Sequence, residues 1–345
     1  MLSAEAGDAL TPTGLMGLAT SFWRFKALAV AVELRLFTVL DRAGGLTAAE
    51  LADELGTGPR AADMFLASCA SLGLLEERDG RYANSAVADR FLVEGREDYF
   101  GGFVRFCDTR EYPGWGRLTD AVLTDRPTTW DPDVQDSPFA ASDTAMLAGF
   151  WDALHVAARY TARELARVYD FRPHRALLDV GGGSGAFPIE LCARHPALRA
   201  SVYELAHVCP IAEDRVARAG LTGVVDAVAG DFLADGRLPA GYDVHLVSGV
   251  LHNWDPATNL ALLRKCREAL APGGVLLVCE LVLNDRRTGP PEAALMGLNM
   301  VVETVGGRNY AESEYVDWLD RAGFTGLEVR GLGGPGANAV VVAHR

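Results

Sequence analysis

The chain reads as an α/β protein: a mostly helical N-terminal part, then a doubly wound sheet of seven strands that ends in an antiparallel hairpin. Three observations predict this. Residues from Leu15 to Leu40 carry apolar positions at helical spacing. After Ala176, short apolar runs alternate with helical segments, the pattern of a sheet covered on both faces. The last two runs, Leu327–Arg330 and Ala339–Ala343, are joined only by Gly331–Asn338, too short for a helical crossover, so they must pair antiparallel.

Taken in order, Phe22, Phe25, Leu28, Ala29, Val32, Leu36, Val39 and Leu40 predict one helix over the first stretch. Thr47-Ala-Ala-Glu50 is a capping box that opens a short helix through Leu51 and Leu55. A further helix runs from about Pro59 to Leu72 and stops at Gly73. Leu74 to Tyr82 then reads as two short strands around the turn Asp79-Gly80. Helices followed by a hairpin form a winged-helix pattern, which raises DNA binding as one reading. The candidate recognition helix, however, has Arg60 as its only base, beside Asp63, and is otherwise nearly all apolar, which favours a dimerisation module.

From Tyr99 to Tyr169 the pattern is helical and rich in aromatics, among them Phe100, Phe103, Phe106, Tyr112, Trp115, Trp130, Phe139, Phe150, Trp151 and Tyr160. Prolines and aspartates make a loop between Leu123 and Ser137. Most of these rings are expected in the core, and a few facing a cavity would suit a flat aromatic ligand. Strands are predicted at Ala176–Val180, Ala200–Tyr203, Val224–Val228, Val244–Ser248, Val275–Cys279, Leu327–Arg330 and Ala339–Ala343, with helices between the first five and before the sixth.

Composition narrows the function classes. The chain has 345 residues, 49% hydrophobic, enough for a substantial core. A formal charge of −14 argues against a nucleic-acid backbone as partner. The cysteines Cys69, Cys107, Cys192, Cys209, Cys266 and Cys279 form no C-x-x-C pair and no cluster at metal spacing, so no metal is expected, and reduced thiols point to a cytoplasmic setting. Met1 to Pro12 shows no signal peptide, and no uninterrupted apolar stretch reaches about 18 residues, so no membrane partner is expected.

The chemistry centres on Leu177 to Glu204. An apolar run ending in Asp179-Val180 opens into Gly181-Gly182-Gly183-Ser184-Gly185, and Glu204 closes the next run. Glycines where a strand turns into a helix let a ligand reach the backbone, and an acid some 20 residues on is placed to grip a ribose. Two cofactor classes use this geometry. Gly181-x-Gly183-x-x-Ala186 formally satisfies the dinucleotide pattern. S-adenosylmethionine, which carries no phosphate, needs the loop only to clear space for its methionine moiety, with Asp179 acting through the ammonium group or the loop backbone. The spelling reads better as the second, and the C-terminal hairpin, common in methyltransferases, points the same way.

Further along, Gly230-Asp231-Phe232 sets a carboxylate at the carboxyl edge of the sheet, where Asp231 could accept from an adenine amino group while Phe232 packs on the ring. His252, in Leu251-His-Asn-Trp-Asp255, follows the fourth strand and is a candidate general base. Glu280 ends the next strand and could orient His252.

With these motifs, Tyr203-Glu-Leu-Ala-His-Val208 and Gly306-Gly-Arg-Asn-Tyr310 included, nearly the whole chain resembles the S-adenosylmethionine-dependent small-molecule O-methyltransferases, the family of plant caffeate-type and bacterial polyketide-tailoring enzymes. The resemblance implies a winged-helix-like dimerisation domain over residues 12–105, linking helices over 106–165 that contribute to the substrate pocket, and a Rossmann-like catalytic domain over 166–345. It implies a homodimer that takes S-adenosylmethionine as cofactor and releases S-adenosylhomocysteine. The cofactor set it implies is Asp179, Gly181, Gly183, Glu204, Leu205, Asp231, Phe232 and Ser248.

Around the base, Glu280 falls on the first of two flanking carboxylates. Asn309 stands where many members carry the second, and Asn253 where aspartate is frequent. The implied substrate lining is Phe106, Trp151, His155, Met296, Asn299, Met300 and Glu303, and the implied substrate a phenolic, polyketide-like compound. Asn309 leaves open C-methylation, or decarboxylation or hydroxylation with the cofactor held only as a positive charge. A nicotinamide-dependent oxidoreductase and a ligand-sensing DNA-binding protein are the remaining readings.

Overall fold

The computed structural model describes residues 11–135 and 144–345, so Ser137 and Phe139 lie outside the described residues. The chain divides into two compact units, Met1–Thr109 and Arg110–Arg345.

In the first unit the expected single helix over residues 15–40 is three: α1 (Thr13–Ala19), α2 (Ser21–Glu33) and α3 (Leu36–Ala43). Hydrophobic period does not register such breaks. At the first, the Thr20 hydroxyl donates back to the Met16 carbonyl at 2.8 Å. At the second, Arg35 adopts a left-handed conformation with φ 55°. A two-residue strand β1 (Leu46–Thr47) precedes α4 (Ala48–Glu54), whose capping box is formed: Thr47 N–H donates to Glu50 Oε2 at 2.8 Å and Glu50 N–H to Thr47 Oγ1 at 3.3 Å. Helix α5 (Pro59–Ser71) leads into β2 (Leu75–Arg78) and β3 (Arg81–Asn84), joined by Asp79 and Gly80, both at positive φ as a type I′ turn requires. The strands pair in the order β1-β3-β2. Helices α6 (Ala86–Phe91) and α7 (Gly101–Phe106) complete the unit over a core of Val32, Leu36, Phe37, Leu40, Leu51 and Leu66.

Helix α1 buries nothing, and Leu15, Met16, Leu18, Phe22 and Trp23 are all exposed. The stretch Thr13–Glu33 is long and apolar enough to cross a membrane by length and composition alone. It is nevertheless broken at Thr20 and carries Arg24 and Lys26, the latter paired with Asp108 at 2.6 Å.

In the second unit, α8 (Tyr112–Trp115), α9 (Leu118–Thr124) and the long α10 (Thr144–Val168) precede the sheet. There follow β4 (Ala176–Val180), α11 (Ala186–Arg194), β5 (Arg199–Glu204), α12 (Cys209–Arg218), β6 (Val225–Ala229), β7 (Val244–Ser248), α13 (Pro256–Ala269), β8 (Val275–Glu280), α14 (Pro291–Glu303), α15 (Glu312–Arg321), β9 (Thr325–Gly331) and β10 (Ala339–His344). The helix expected between the third and fourth strands is absent. Residues 230–243 hold Gly230, Gly236, Pro239 and Gly241, and they form turns instead.

The strand order is β6-β5-β4-β7-β8-β10-β9. All pairs are parallel except those of β10, which sits antiparallel between β8 and β9. Side chains alternate across the sheet. Leu177, Val202, Leu246 and Leu277 pack with Ala162, Leu165 and Phe187 from α10 and α11 on one face. Leu178, Val247, Leu276 and Val341 pack with Leu262, Leu263 and Trp318 from α13 and α15 on the other. The order reverses between β4 and β7, and the crevice beyond their carboxyl ends is where such sheets take ligands.

Candidate active site

Four segments converge on that crevice: the glycine loop after β4, the end of β5, the turn after β6 and the segment after β7. In the loop, Gly183 has φ 53°, and a Cβ there would run into the six-membered ring of Trp151. Beside it, His155 Nδ1 lies 2.8 Å from Ser184 Oγ. The structure therefore sets Trp151 and His155, both on α10, against the glycine loop. Burial, reinforced by Arg215 and Arg159, pushes the His155 imidazole down to about 3, so it is neutral.

Beneath the loop lie two acids on adjacent strands. Asp179 is 2% exposed, and its Oδ2 has no hydrogen-bond partner. Burial, with the Glu204 charge added, raises its carboxyl to about 8. Glu204 accepts from Gly183 N–H at 3.3 Å and from Leu205 N–H at 2.9 Å, and burial holds its carboxyl above the usual range. The buried indole N–H of Trp151 is likewise unpartnered. An orphaned acceptor and an orphaned donor beside the glycine loop together fit the cationic, carboxylate-bearing methionine end of S-adenosylmethionine, with Glu204 placed for ribose hydroxyls.

After β6, Asp231 Oδ1 accepts from Leu233 and Ala234 N–H at 2.8 and 3.3 Å. The Phe232 ring comes back to the glycine loop, its Cε1 standing 3.3 Å from where a Gly181 Cβ would be. Ser248 ends β7, half-buried.

Beyond β7, His252 lies in a short 3-10 turn, Leu251–Asn253. Its Nδ1 is 2.7 Å from Glu280 Oε2, while Glu280 Oε1 accepts from Val250 and Leu251 N–H at 3.0 and 2.8 Å. Glu280 is 1% exposed and its carboxylate fully engaged. An acceptor at Nδ1 selects the tautomer with hydrogen there, leaving the Nε2 lone pair free to take a proton. Asn253 is not aimed at this pair; its amide donates to the Gly249 and Val250 carbonyls at 3.2 and 3.1 Å.

The segment after α14 closes against the base: a Cβ at Gly307 would stand 2.6 Å from the His252 carbonyl oxygen. Asn309, 2% exposed, donates to the Leu281 carbonyl at 2.8 Å, and its Oδ1 has no partner. On α14, Met296, Asn299, Met300 and Glu303 lie along one side. Asn299 accepts from Trp115 Nε1 at 2.6 Å, and Glu303 Oε2 accepts from Arg110 at 3.1 Å and Thr129 at 3.0 Å. Phe106 ends α7 in the first unit. Sequence reasoning missed Ser184, Trp115, Arg110 and Thr129 as partners of these residues; Ser184 stands in the glycine-loop motif, and no motif marks the other three. Among the described residues no group of three or more His, Cys, Asp or Glu could hold a metal ion.

Comparison with known proteins gives a consistent picture. A model of the O-methyltransferase domain matches residues 115–325, and one of the O-methyltransferase dimerisation domain matches residues 16–94. The chain is 46% identical over 330 residues to 3-hydroxy-5-methyl-1-naphthoate 3-O-methyltransferase of Streptomyces sahachiroi, covering 96% of this chain and 94% of that one. It is 34% identical to the tetracenomycin polyketide synthesis 8-O-methyl transferase TcmO of Streptomyces glaucescens, covering 95% and 96%. The solved structure of PigF with SAH superposes with a TM-score of 0.84 at 32% identity, covering 97% of this chain and 100% of that one.

Proposed function

This chain belongs to the O-methyltransferase family, and from that premise we propose that it methylates a phenolic hydroxyl of an aromatic, polyketide-type acid, with His252 as general base. The observation that carries the reading is the 2.7 Å contact of His252 with Glu280 at the carboxyl ends of β7 and β8, the same edge of the sheet that carries the glycine loop and Glu204. The substrate class rests on the naphthoate named for the relative at 46% identity.

S-adenosylmethionine supplies the methyl group, carried on a positively charged sulfur that leaves as a neutral thioether. Asp179 and Trp151 would hold the methionine end, Glu204 the ribose, and Asp231 with Phe232 the adenine, with Leu205 and Ser248 lining the same cleft. His252 Nε2 would take the phenolic proton, and Glu280 would stabilise the imidazolium that results. The remaining rate would come from seating the phenol next to the methyl donor. Met296, Asn299, Met300 and Glu303 would line the substrate side, and Phe106 keeps only the role that the family resemblance implies for it. His155, neutral and bonded to Ser184, acts on the loop instead of the substrate.

We read the first unit as the seat of a homodimer, because Leu15, Met16, Leu18, Phe22 and Trp23 on α1 and α2 are large apolar side chains left exposed for a second copy to cover. A second chemical reading keeps the fold and cofactor but directs the methyl to carbon, or retains the cofactor as a charge during decarboxylation or hydroxylation. It is favoured only by Asn309, whose unpartnered oxygen is a weaker base than a carboxylate.

The test is mass spectrometry of the protein incubated with S-adenosylmethionine and a panel of hydroxynaphthoic acids, hydroxybenzoic acids and phenolic polyketides. A one-methyl gain labile to ether cleavage supports the first reading. A methyl gain resistant to cleavage, or loss of carbon dioxide without methylation, supports the second.

A further inference from the structure

The turn after β6 is held by a residue with no part in the site described so far. Lys265, on α13, donates from its ammonium to three backbone carbonyls, those of Phe232 at 2.8 Å, Leu233 at 3.2 Å and Asp235 at 2.7 Å. From the opposite side the Asp235 carboxylate accepts the Asp231 N–H at 3.1 Å and the hydroxyl of Tyr203, which reaches it from β5. The Tyr203 ring occupies the space that a Cβ at Gly230 would need. Sheet, helix and turn are thus tied together at Asp231–Asp235.

The chemistry of the clamp is specific to lysine. Three carbonyl oxygens gathered on one point call for a compact group with three donors and a positive charge, and an ammonium meets both conditions. A neutral amide offers two donors at most. Because the cation bonds the carbonyl of Phe232 itself, it fixes where that ring sits against Gly181 and, edge-on at 6.1 Å between centroids, against Trp254. Asp231 meanwhile uses Oδ1 for its own turn and presents its remaining oxygen from a backbone that cannot shift.

We propose that Lys265 is a positioning residue for the adenine end of the cofactor site, holding Phe232 and Asp231 in register through their backbone. The proposal rests on the assignment of adenine to Asp231 and Phe232. It also links α13, which begins at Pro256 shortly after the turn that holds His252, to the adenine end of the cofactor site.

The experiment titrates the full-length protein with S-adenosylhomocysteine, and separately with adenosine, by calorimetry, comparing Lys265→Met, Lys265→Arg and Asp231→Ala with the parent chain. Lys265→Met should weaken both ligands by a similar factor of about ten or more, the scale of losing charge-assisted hydrogen bonds. KM for S-adenosylmethionine should rise in parallel while kcat at saturation changes far less, and Lys265→Arg, which keeps the charge, should recover part of the affinity. A purely structural role would lower the melting temperature without this split. Unchanged affinity in Lys265→Met while Asp231→Ala loses it overturns the clamp, as does a loss seen with S-adenosylhomocysteine and not with adenosine. Unchanged affinity in both variants overturns the adenine assignment along with it.

Discussion

Glu280 Oε2 stands 2.7 Å from His252 Nδ1 while Glu280 Oε1 receives the N–H groups of Val250 and Leu251, so one carboxylate fixes both the imidazole and the backbone that carries it. Removing the ring and removing the charge should differ. His252→Ala should lower kcat by about ten- to ten-thousand-fold, the usual range for general acid–base catalysis. Glu280→Gln should lower it less but also reduce stability, because an amide has one oxygen where the carboxylate uses two. Steady-state turnover of the two variants, with melting temperatures alongside, checks this. Equal turnover in parent and His252→Ala would remove the base assignment.

Gly183→Ala tests the glycine loop. The new methyl would meet the Trp151 ring at a backbone φ of 53°, so left-handed strain and overpacking add. Together they should cost about 2–4 kcal/mol, concentrated in the loop. Binding of S-adenosylhomocysteine should fall beyond detection by calorimetry. Trp151→Ala in the same chain relieves the clash, and recovery of the fold without recovery of affinity would place the indole itself in the site.

Stability of the cofactor-free protein should peak near pH 6.5. His245 is fully buried with neither ring nitrogen partnered, and burial lowers it to about 4 from 6.5; His155 falls to about 3. Below pH 6.5 the unfolded chain therefore takes up two protons that the folded chain refuses until about pH 4 and 3. Asp179 acts in the other direction: raised to about 8 from 3.8, it holds a proton in the folded state that the unfolded state has lost. Below 6.5 the lowered histidines, His174 and His195 among them, outnumber the raised acids Asp179 and Glu204, so stability falls with acid. From pH 6.5 to 8 the histidines no longer differ between the two states and the raised Asp179 dominates, so stability falls as pH rises. Unfolding at pH 5, 6.5 and 8 measures both limbs. His245→Leu should flatten the acid limb and Asp179→Asn the alkaline one; a stability that climbs steadily to pH 8 would contradict the scheme.

If the apolar face of α1 and α2 is covered by a second copy, charging it should separate the copies. Leu18→Glu with Trp23→Glu should convert a dimer to a monomer in light scattering at micromolar concentration while leaving the buried core of the unit untouched. A parent protein that already runs as a monomer, or a variant that stays dimeric, would locate the contact elsewhere.

The sheet was largely legible because strands such as β4, β7 and β8 are buried on both faces and read as bounded apolar runs. The glycine loop, Glu204, His252 and Glu280 were legible because each follows or ends such a run, and topology sends those ends to one crevice. What escaped had no periodic signal. The break at Arg35 is a single backbone conformation, β1 is two residues long, and the turns of 230–243 replace a helix that alternation alone suggested. The placement of Trp151 and His155 on the loop depends on how α10 crosses α11, which no spacing within α10 records. Lys265 was invisible because its partners are carbonyls 30 or more residues away.

The position of β10 bears on how the chain comes together in time. It is the last strand in sequence, yet it fills the gap between β8 and β9, pairing Val341 with Val278 on one side and with Val329 on the other. Until it arrives, β9 has no neighbour and β8 presents an open row of donors and acceptors, the kind of edge that recruits foreign strands. During synthesis the crevice-forming half of the sheet can thus assemble on the ribosome, whereas closure waits for residues beyond Ala339. A nascent chain paused short of that point would carry a sticky border, giving chaperones a defined window in which shielding matters most.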